Sequence, residues 1–184
     1  MSGYRVGVIV GSASESSLNR QLADGLALLA ADAGLTFVDI PIGHLPFYGT
    51  QFDRDYPEIG WELKRAIEDV DGLLIVTPEY NRSIPAVLKN AIDWASRPGG
   101  ASSLPGKPTA VTGATKGAVS TAVAQAHLKS ILAAQGTPLV GVPEAYIRVG
   151  DGFFDDDGAI ASEGTREFLS GFLRALHDLI GRWV

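Results

Sequence analysis

The chain has 184 residues, 46% of them apolar and 20% charged, no cysteine, and a formal net charge of −6. A chain of this length can bury about 70% of its unfolded surface, which argues for a single globular domain over residues 1–184 and against disordered or fibrous classes. An acidic balance without a Lys/Arg run disfavours nucleic-acid binding, and the lack of cysteine excludes thiol catalysis, disulfides and cysteine-ligated metals.

Residues 4–11 read as a core strand with the apolar centre 6–10, which leaves nothing spare for a signal peptide. No apolar run approaches bilayer length, so no membrane association is expected and the expected location is the cytoplasm. Helical periodicity follows over 18–33, then a strand over 36–40 and a helix over 58–69. A strand at 73–76, a helix at 85–96, a strand at 109–111 and a helix at 119–135 continue the alternation. Residues 139–142 form the last strand candidate, with a continuation to 149 left open, before a final helix over 165–180. Strand runs without polar alternation suit burial on both faces, so the order βαβαβαβαβα predicts an α/β doubly wound, five-stranded parallel sheet between two helical layers.

Two irregular stretches stand out. The first, 43–57, carries Phe47, Tyr48, Phe52 and Tyr56, more aromatic surface than a solvated loop needs, and so is expected to line a pocket or an interface. The second, 150–164, contains Asp155, Asp156, Asp157 and Gly158 but lacks the spaced ligands and closing Glu of a calcium loop, which leaves a solvated acidic turn.

In a doubly wound sheet, ligands bind beyond the carboxyl ends of the strands, so the loops after strands one, three and four carry the functional signal. After strand one, Gly11, Ser12, Ser14, Ser16, Ser17, Leu18 and Asn19 lead directly into a helix. One Gly and several hydroxyls at a helix N-terminus suit a phosphate monoester, although serines there also serve simply as caps. The dinucleotide GxGxxG and Walker motifs are both absent, which argues against a dinucleotide fold or a nucleoside triphosphatase. After strand three, Pro78, Glu79, Tyr80, Asn81, Arg82, Ser83 and Pro85 make a loop with proline near both ends, either a rigid platform for a flat heterocycle or a turn capping the next helix. His44, His127 and His177 show no metal-ligand spacing and read as structural; Asp93, in mid-helix, reads as an ion-pair partner. No GxSxG elbow accompanies the serines, so hydrolysis fits poorly.

The PEYN run at 78–81, the Ser-Ile-Pro that closes the same loop, LKNAIDW at 88–94, Ser96-Arg97-Pro98, LPFY at 45–48 and the strand run ending at Pro78 together resemble the NADPH-dependent FMN reductase family of flavodoxin-like proteins. The resemblance covers most of the chain. It implies non-covalent FMN, NADPH or NADH as hydride donor, and a quinone, azo compound, free flavin or metal oxyanion as small-molecule acceptor. A flavodoxin-type electron carrier or a flavin-free nucleotide module are the alternatives.

By matching position, the resemblance implies that Ser12, Ser17, Leu18 and Asn19 hold the phosphate. Pro78, Glu79, Tyr80, Asn81 and Ser83 fall along the ring system and ribityl chain, and Thr112, Gly113, Ala114, Thr115, Lys116 and Gly117 along the pyrimidine edge. No catalytic side chain is implied, because the flavin carries the chemistry. The resemblance also implies a homodimer or homotetramer, with the aromatic loop near the flavin. Departures occur: Ser14 stands where many relatives have a basic residue, Arg82 where they have Tyr, and Ser120-Thr121-Ala122-Val123 where they have a Gly-Gly-Ala-Arg-like run.

Overall fold

The computed structural model describes residues 3–184. Strands β1 (Tyr4–Val10), β2 (Leu35–Asp39), β3 (Gly72–Val76), β4 (Thr109–Thr115) and β5 (Ala145–Arg148) form one parallel sheet in the order β2-β1-β3-β4-β5. This is the flavodoxin-like doubly wound order, and it places the topological switch between β1 and β3. Helices α1 (Leu18–Ala30) and α5 (Glu163–Ile180) cover one face. Helices α2 (Glu58–Glu68), α3 (Ala86–Ala95) and α4 (Ala122–Ala134) cover the other.

The side-chain period of two divides the core between these layers. Val6, Val8 and Val10 of β1 and Leu74 and Val76 of β3 pack with Leu22, Leu26, Phe172 and Leu176. Ile9, Leu73, Ile75 and Val111 pack with Leu63, Leu88, Trp94 and Leu128. Apolar on both faces, the central strands are legible as unbroken hydrophobic runs.

The fifth strand differs from expectation. Of residues 139–142, only the segment around Leu139 touches the sheet, through a single bridge to Thr109. The chain then leaves at Gly141-Val142-Pro143, where proline has no N–H to donate, and β5 forms at Ala145–Arg148. Ala145 and Ile147 point inward while Tyr146 and Arg148 face out, the alternation of an edge strand rather than of a central one. Helix α4 also starts later than periodicity suggests, at Ala122, because Ser120 has φ 56°, outside the helical region.

The aromatic residues of 43–57 mostly turn inward. Tyr48, Phe52 and Tyr56 surround Trp94 at centroid distances of 5.3, 5.1 and 5.4 Å. Asn90 pins the segment: its Oδ1 accepts from Tyr48 N at 2.8 Å and its Nδ2 donates to Pro46 O at 2.9 Å. Trp94 Nε1 donates to the same carbonyl at 2.7 Å. Tyr48, Asp53 and Arg97 close a further network, with Tyr48 Oη donating to Asp53 Oδ1 at 2.6 Å. Phe47 alone among these aromatics stands out, 81% exposed.

Buried Lys64 draws the 96–103 strap onto α2 by donating to Ser103 Oγ at 2.9 Å and to the Ala101 carbonyl. Burial pulls its pKa below the usual lysine value.

Two predictions follow from this packing. Asn90→Ala removes both pinning bonds and leaves Tyr48 N unpaired, while Pro46 O keeps its bond from Trp94 Nε1, so it should lower unfolding free energy by about 2 kcal/mol in urea titrations. The Tyr56 phenol, which donates to the Trp94 carbonyl, is pushed from 10.0 up to about 12, first by burial and then by Tyr48. A raised native pKa favours the neutral phenol, so this contribution is complete below pH 10.0 and fades as pH rises toward about 12. The stability difference between the parent and Tyr56→Phe should therefore shrink over that window; curves that stay parallel would contradict the assignment.

Candidate active site

Three loops converge at the carboxyl edge of β1, β3 and β4. Gly11 N donates to Val76 O and Thr77 N to Thr112 O, each at 2.9 Å, so the sheet ladder runs to the lip of the site. A Cβ on Gly113 would lie 2.0 Å from the Thr77 carbonyl oxygen, and one on Gly11 3.1 Å from Thr77 Oγ1. Gly113 is required because the β3 loop crosses directly against its backbone, whereas a Cβ on Gly11 would press on the Leu88 and Thr77 side chains.

The β1 loop ends on Ser17, whose Oγ accepts from Arg20 N at 3.2 Å and caps α1. A hydroxyl that accepts here still has its own proton to donate. Ser12 Oγ accepts from Ser14 N at 3.3 Å, and Glu15 is exposed. The N–H groups of Leu18 and Asn19 lie in the first helical turn, where no preceding carbonyl serves them, so the loop presents neutral donors and a helix dipole. Arg20 does not add charge to it, being paired with Asp39 at 2.8 Å.

Asn19 does more than the sequence suggested. Its Nδ2 donates to Ala114 O at 3.0 Å and its Oδ1 accepts from Ala114 N at 2.8 Å, clamping α1 to the end of β4. One amide N–H and the backbone N–H are left for a ligand. Thr112 and Gly113, which the resemblance sets along a pyrimidine edge, offer no free side-chain group to the cleft. Thr112 is fully buried with its hydroxyl donated to Ala145 O at 2.8 Å, and Gly113 is buried against Thr77; both brace the loops from below.

The β3 loop is a tight hairpin. Tyr80 and Ser83 exchange both backbone hydrogen bonds at 3.0 Å, and Asn81 and Arg82 between them have φ 51° and 64°. Positive φ at both central residues is the type I′ turn. Asn tolerates this region, whereas an Arg there costs roughly 1–2 kcal/mol. Tyr80 stands 47% exposed, and His127 Nδ1 lies 3.2 Å from Ser83 Oγ, a contact from α4 that sequence spacing did not signal.

Glu79 joins this hairpin to the opposite wall. Its Oε2 accepts from Val123 N and Ala124 N, both at 3.0 Å, in the first turn of α4, and its Oε1 pairs with Arg82 Nη1 at 3.0 Å. The Glu79 side chain is 8% exposed and the Arg82 side chain 66%. The pair itself is partly solvated and contributes at most about 1 kcal/mol, no more than the turn costs at Arg82. The signal for this cap was the carboxylate itself, since a helix N-terminus attracts one, but its source in another loop is not readable from spacing.

Between the hairpin and residues 115–120 opens a cleft of about 320 Å³, lined by Glu79, Asn81, Arg82, Thr115, Gly117 and Ser120 among others. Ser120 Oγ is buried without a hydrogen-bond partner, and Lys116 is exposed in the same loop. An unpaired hydroxyl at a cleft wall, neutral donors at the α1 terminus and an exposed tyrosine suit a ligand with a phosphate and a polar heterocycle, so the residues present fit FMN.

Comparison with known proteins agrees. Residues 4–151 match the family model described as NADPH-dependent FMN reductase. The chain is 48% identical over 181 residues to a 2-hydroxy-1,4-benzoquinone reductase from Burkholderia sp, covering 98% of this chain and 96% of that protein. It is 39% identical to a quinone reductase from Pseudomonas putida, covering 98% and 95%. Among solved structures, the flavoenzyme NAD(P)H:(acceptor) oxidoreductase FerB from Paracoccus denitrificans superposes with a TM-score of 0.92 at 44% identity, covering 98% of each chain. With the cradle and the full-length matches in agreement, the chain belongs to the NADPH-dependent FMN reductase family.

Proposed function

We propose that this protein is an FMN-dependent NAD(P)H:quinone oxidoreductase whose donor and acceptor alternate in the cleft beside the Glu79–Arg82 hairpin. The observation that carries the reading is the convergence of three loops with phosphate-type and heterocycle-type donors at the carboxyl edge of the sheet. The names of the full-length relatives support a quinone as acceptor.

In this reading Ser12, Ser17, Leu18 and Asn19 hold the phosphate through hydroxyls and first-turn N–H groups. Pro78, Glu79, Tyr80, Asn81 and Ser83 form the platform for the ring and its side chain, with Lys116, Gly117 and Ser120 opposite. When bound, FMN supplies the two-electron exchange that no side chain here can perform. Glu79 keeps the two walls at fixed separation. Asn19 and Asn90 hold their loops from behind, so little ordering remains to be done when substrate arrives.

We also infer a homodimer built around Phe47, the aromatic of the 43–57 loop that no internal partner covers. Cysteine-free composition supports a reducing compartment, the cytoplasm. Among the described residues no helix is long and apolar enough to cross a membrane.

The purified protein should show flavin absorbance, and should oxidise NADPH or NADH only as fast as an added quinone is reduced. Absent flavin bands would defeat the reading, and flavin without nicotinamide turnover would make the protein an electron carrier. Ser17→Gly tests the phosphate loop, because Gly caps almost as well as Ser while lacking the hydroxyl. It should weaken FMN binding about tenfold, the cost of one hydrogen bond to a charged group, as read by flavin release on dilution. Light scattering should give a dimer that Phe47→Ser shifts toward monomer; a parent protein monomeric at every concentration would rule the dimer out.

A further inference from the structure

Arg82 is the least expected residue of the site. It occupies the left-handed region at the second central position of a type I′ turn, where Gly would be free of strain. Its ion pair with Glu79 does not account for that choice, because Glu79 already has two backbone donors from α4 and the guanidinium stays largely exposed. Of its five N–H donors, the contact to Glu79 Oε1 uses one, which leaves Nε and Nη2 free on a largely exposed side chain that lines the cleft. Backbone strain kept at a functional cleft points to a task for the side chain held there.

We propose that Arg82 determines specificity by recognising a fixed anionic oxygen group on a substrate. Two sources share that chemistry: an acidic substituent on a quinoid acceptor, and the 2′-phosphate that distinguishes NADPH from NADH. A guanidinium offers either one paired donors in a planar fork. Glu79 holds one edge of the fork and so orients it, while its own charge is taken up by the α4 terminus. The chain carries a net charge of −6 and would repel such substrates at long range, and Arg82 places an exposed guanidinium in the cleft against that background. This inference rests on the reductase reading above.

The test compares flavin-loaded parent, Arg82→Gly and Arg82→Lys, with rates normalised to bound flavin. One arm measures kcat/KM for NADPH against NADH with a neutral naphthoquinone. The other measures kcat/KM for naphthoquinone-2-sulfonate against the neutral naphthoquinone, with NADH as donor. Using ratios cancels differences in intrinsic reactivity, and Gly accepts the turn, so the hairpin survives. Arg82→Gly should lower one of the two ratios about tenfold, Arg82→Lys should retain part of it, and added salt should shrink the ratio in the parent more than in Arg82→Gly. A fall in the nicotinamide ratio assigns Arg82 to the 2′-phosphate, and a fall in the sulfonate ratio to an anionic acceptor. If both ratios stay within about twofold of the parent, the proposal is wrong, whereas absent turnover with NADH and neutral quinone would instead defeat the reductase reading.

Discussion

The Glu79 carboxylate holds the two walls of the cleft together. It leaves water almost completely, an arrangement tolerated only when a charge finds enough donors, and here it finds three: Val123 N, Ala124 N and the Arg82 guanidinium. The two backbone donors are groups that an α4 start must satisfy somehow, so one side chain resolves two problems at once. Because Glu79 follows β3 and its donors follow β4, the span of the cleft is set by a charge-assisted hydrogen-bonded link rather than by two independent loops.

Beneath that link, backbone contacts remove the remaining freedom. Gly113 admits the Thr77 carbonyl where any side chain would collide, and the paired bonds of Asn19 with Ala114 fix α1 against β4. The site's precision therefore comes from backbone groups and short polar side chains, which lose little rotamer entropy on ordering. Larger residues do the same work further out: Trp94 and its ring of aromatics anchor the 43–57 loop, whose tip carries Phe47.

The sequence makes the central sheet readable because β1 and β3 are buried on both faces, so apolar runs alone mark them. It misleads at the last strand, where Leu139-Val140 is apolar but Gly141 and Pro143 interrupt the ladder, and β5 alternates as an edge strand does. The positions of the functional loops follow from the fold order, and Ser17 as cap and Tyr80 as an exposed ring match their local signals. What local pattern does not carry is partnership across the sheet. Asn19 with Ala114 and Glu79 with Val123 are separated by 95 and 44 residues, and nothing in their neighbourhoods encodes the pairing. Thr112 and Gly113 show the converse: adjacent to the site in sequence, they are turned into the sheet by β4, which extends to Thr115.

Charge is distributed unevenly across the site. Among the described residues the α1 end holds no free cation, since Arg20 is engaged by Asp39, so an anion placed there would meet only fixed dipoles and hydroxyls at short range. At the hairpin and the β4 loop, Arg82 and Lys116 are exposed, and their fields reach about a Debye length into solvent. Short-range, preoriented donors act mainly on how slowly a ligand leaves, and exposed charges on how fast one arrives. A cofactor that stays and substrates that exchange every cycle need these properties separately, and the chain places them at different ends of the same sheet edge.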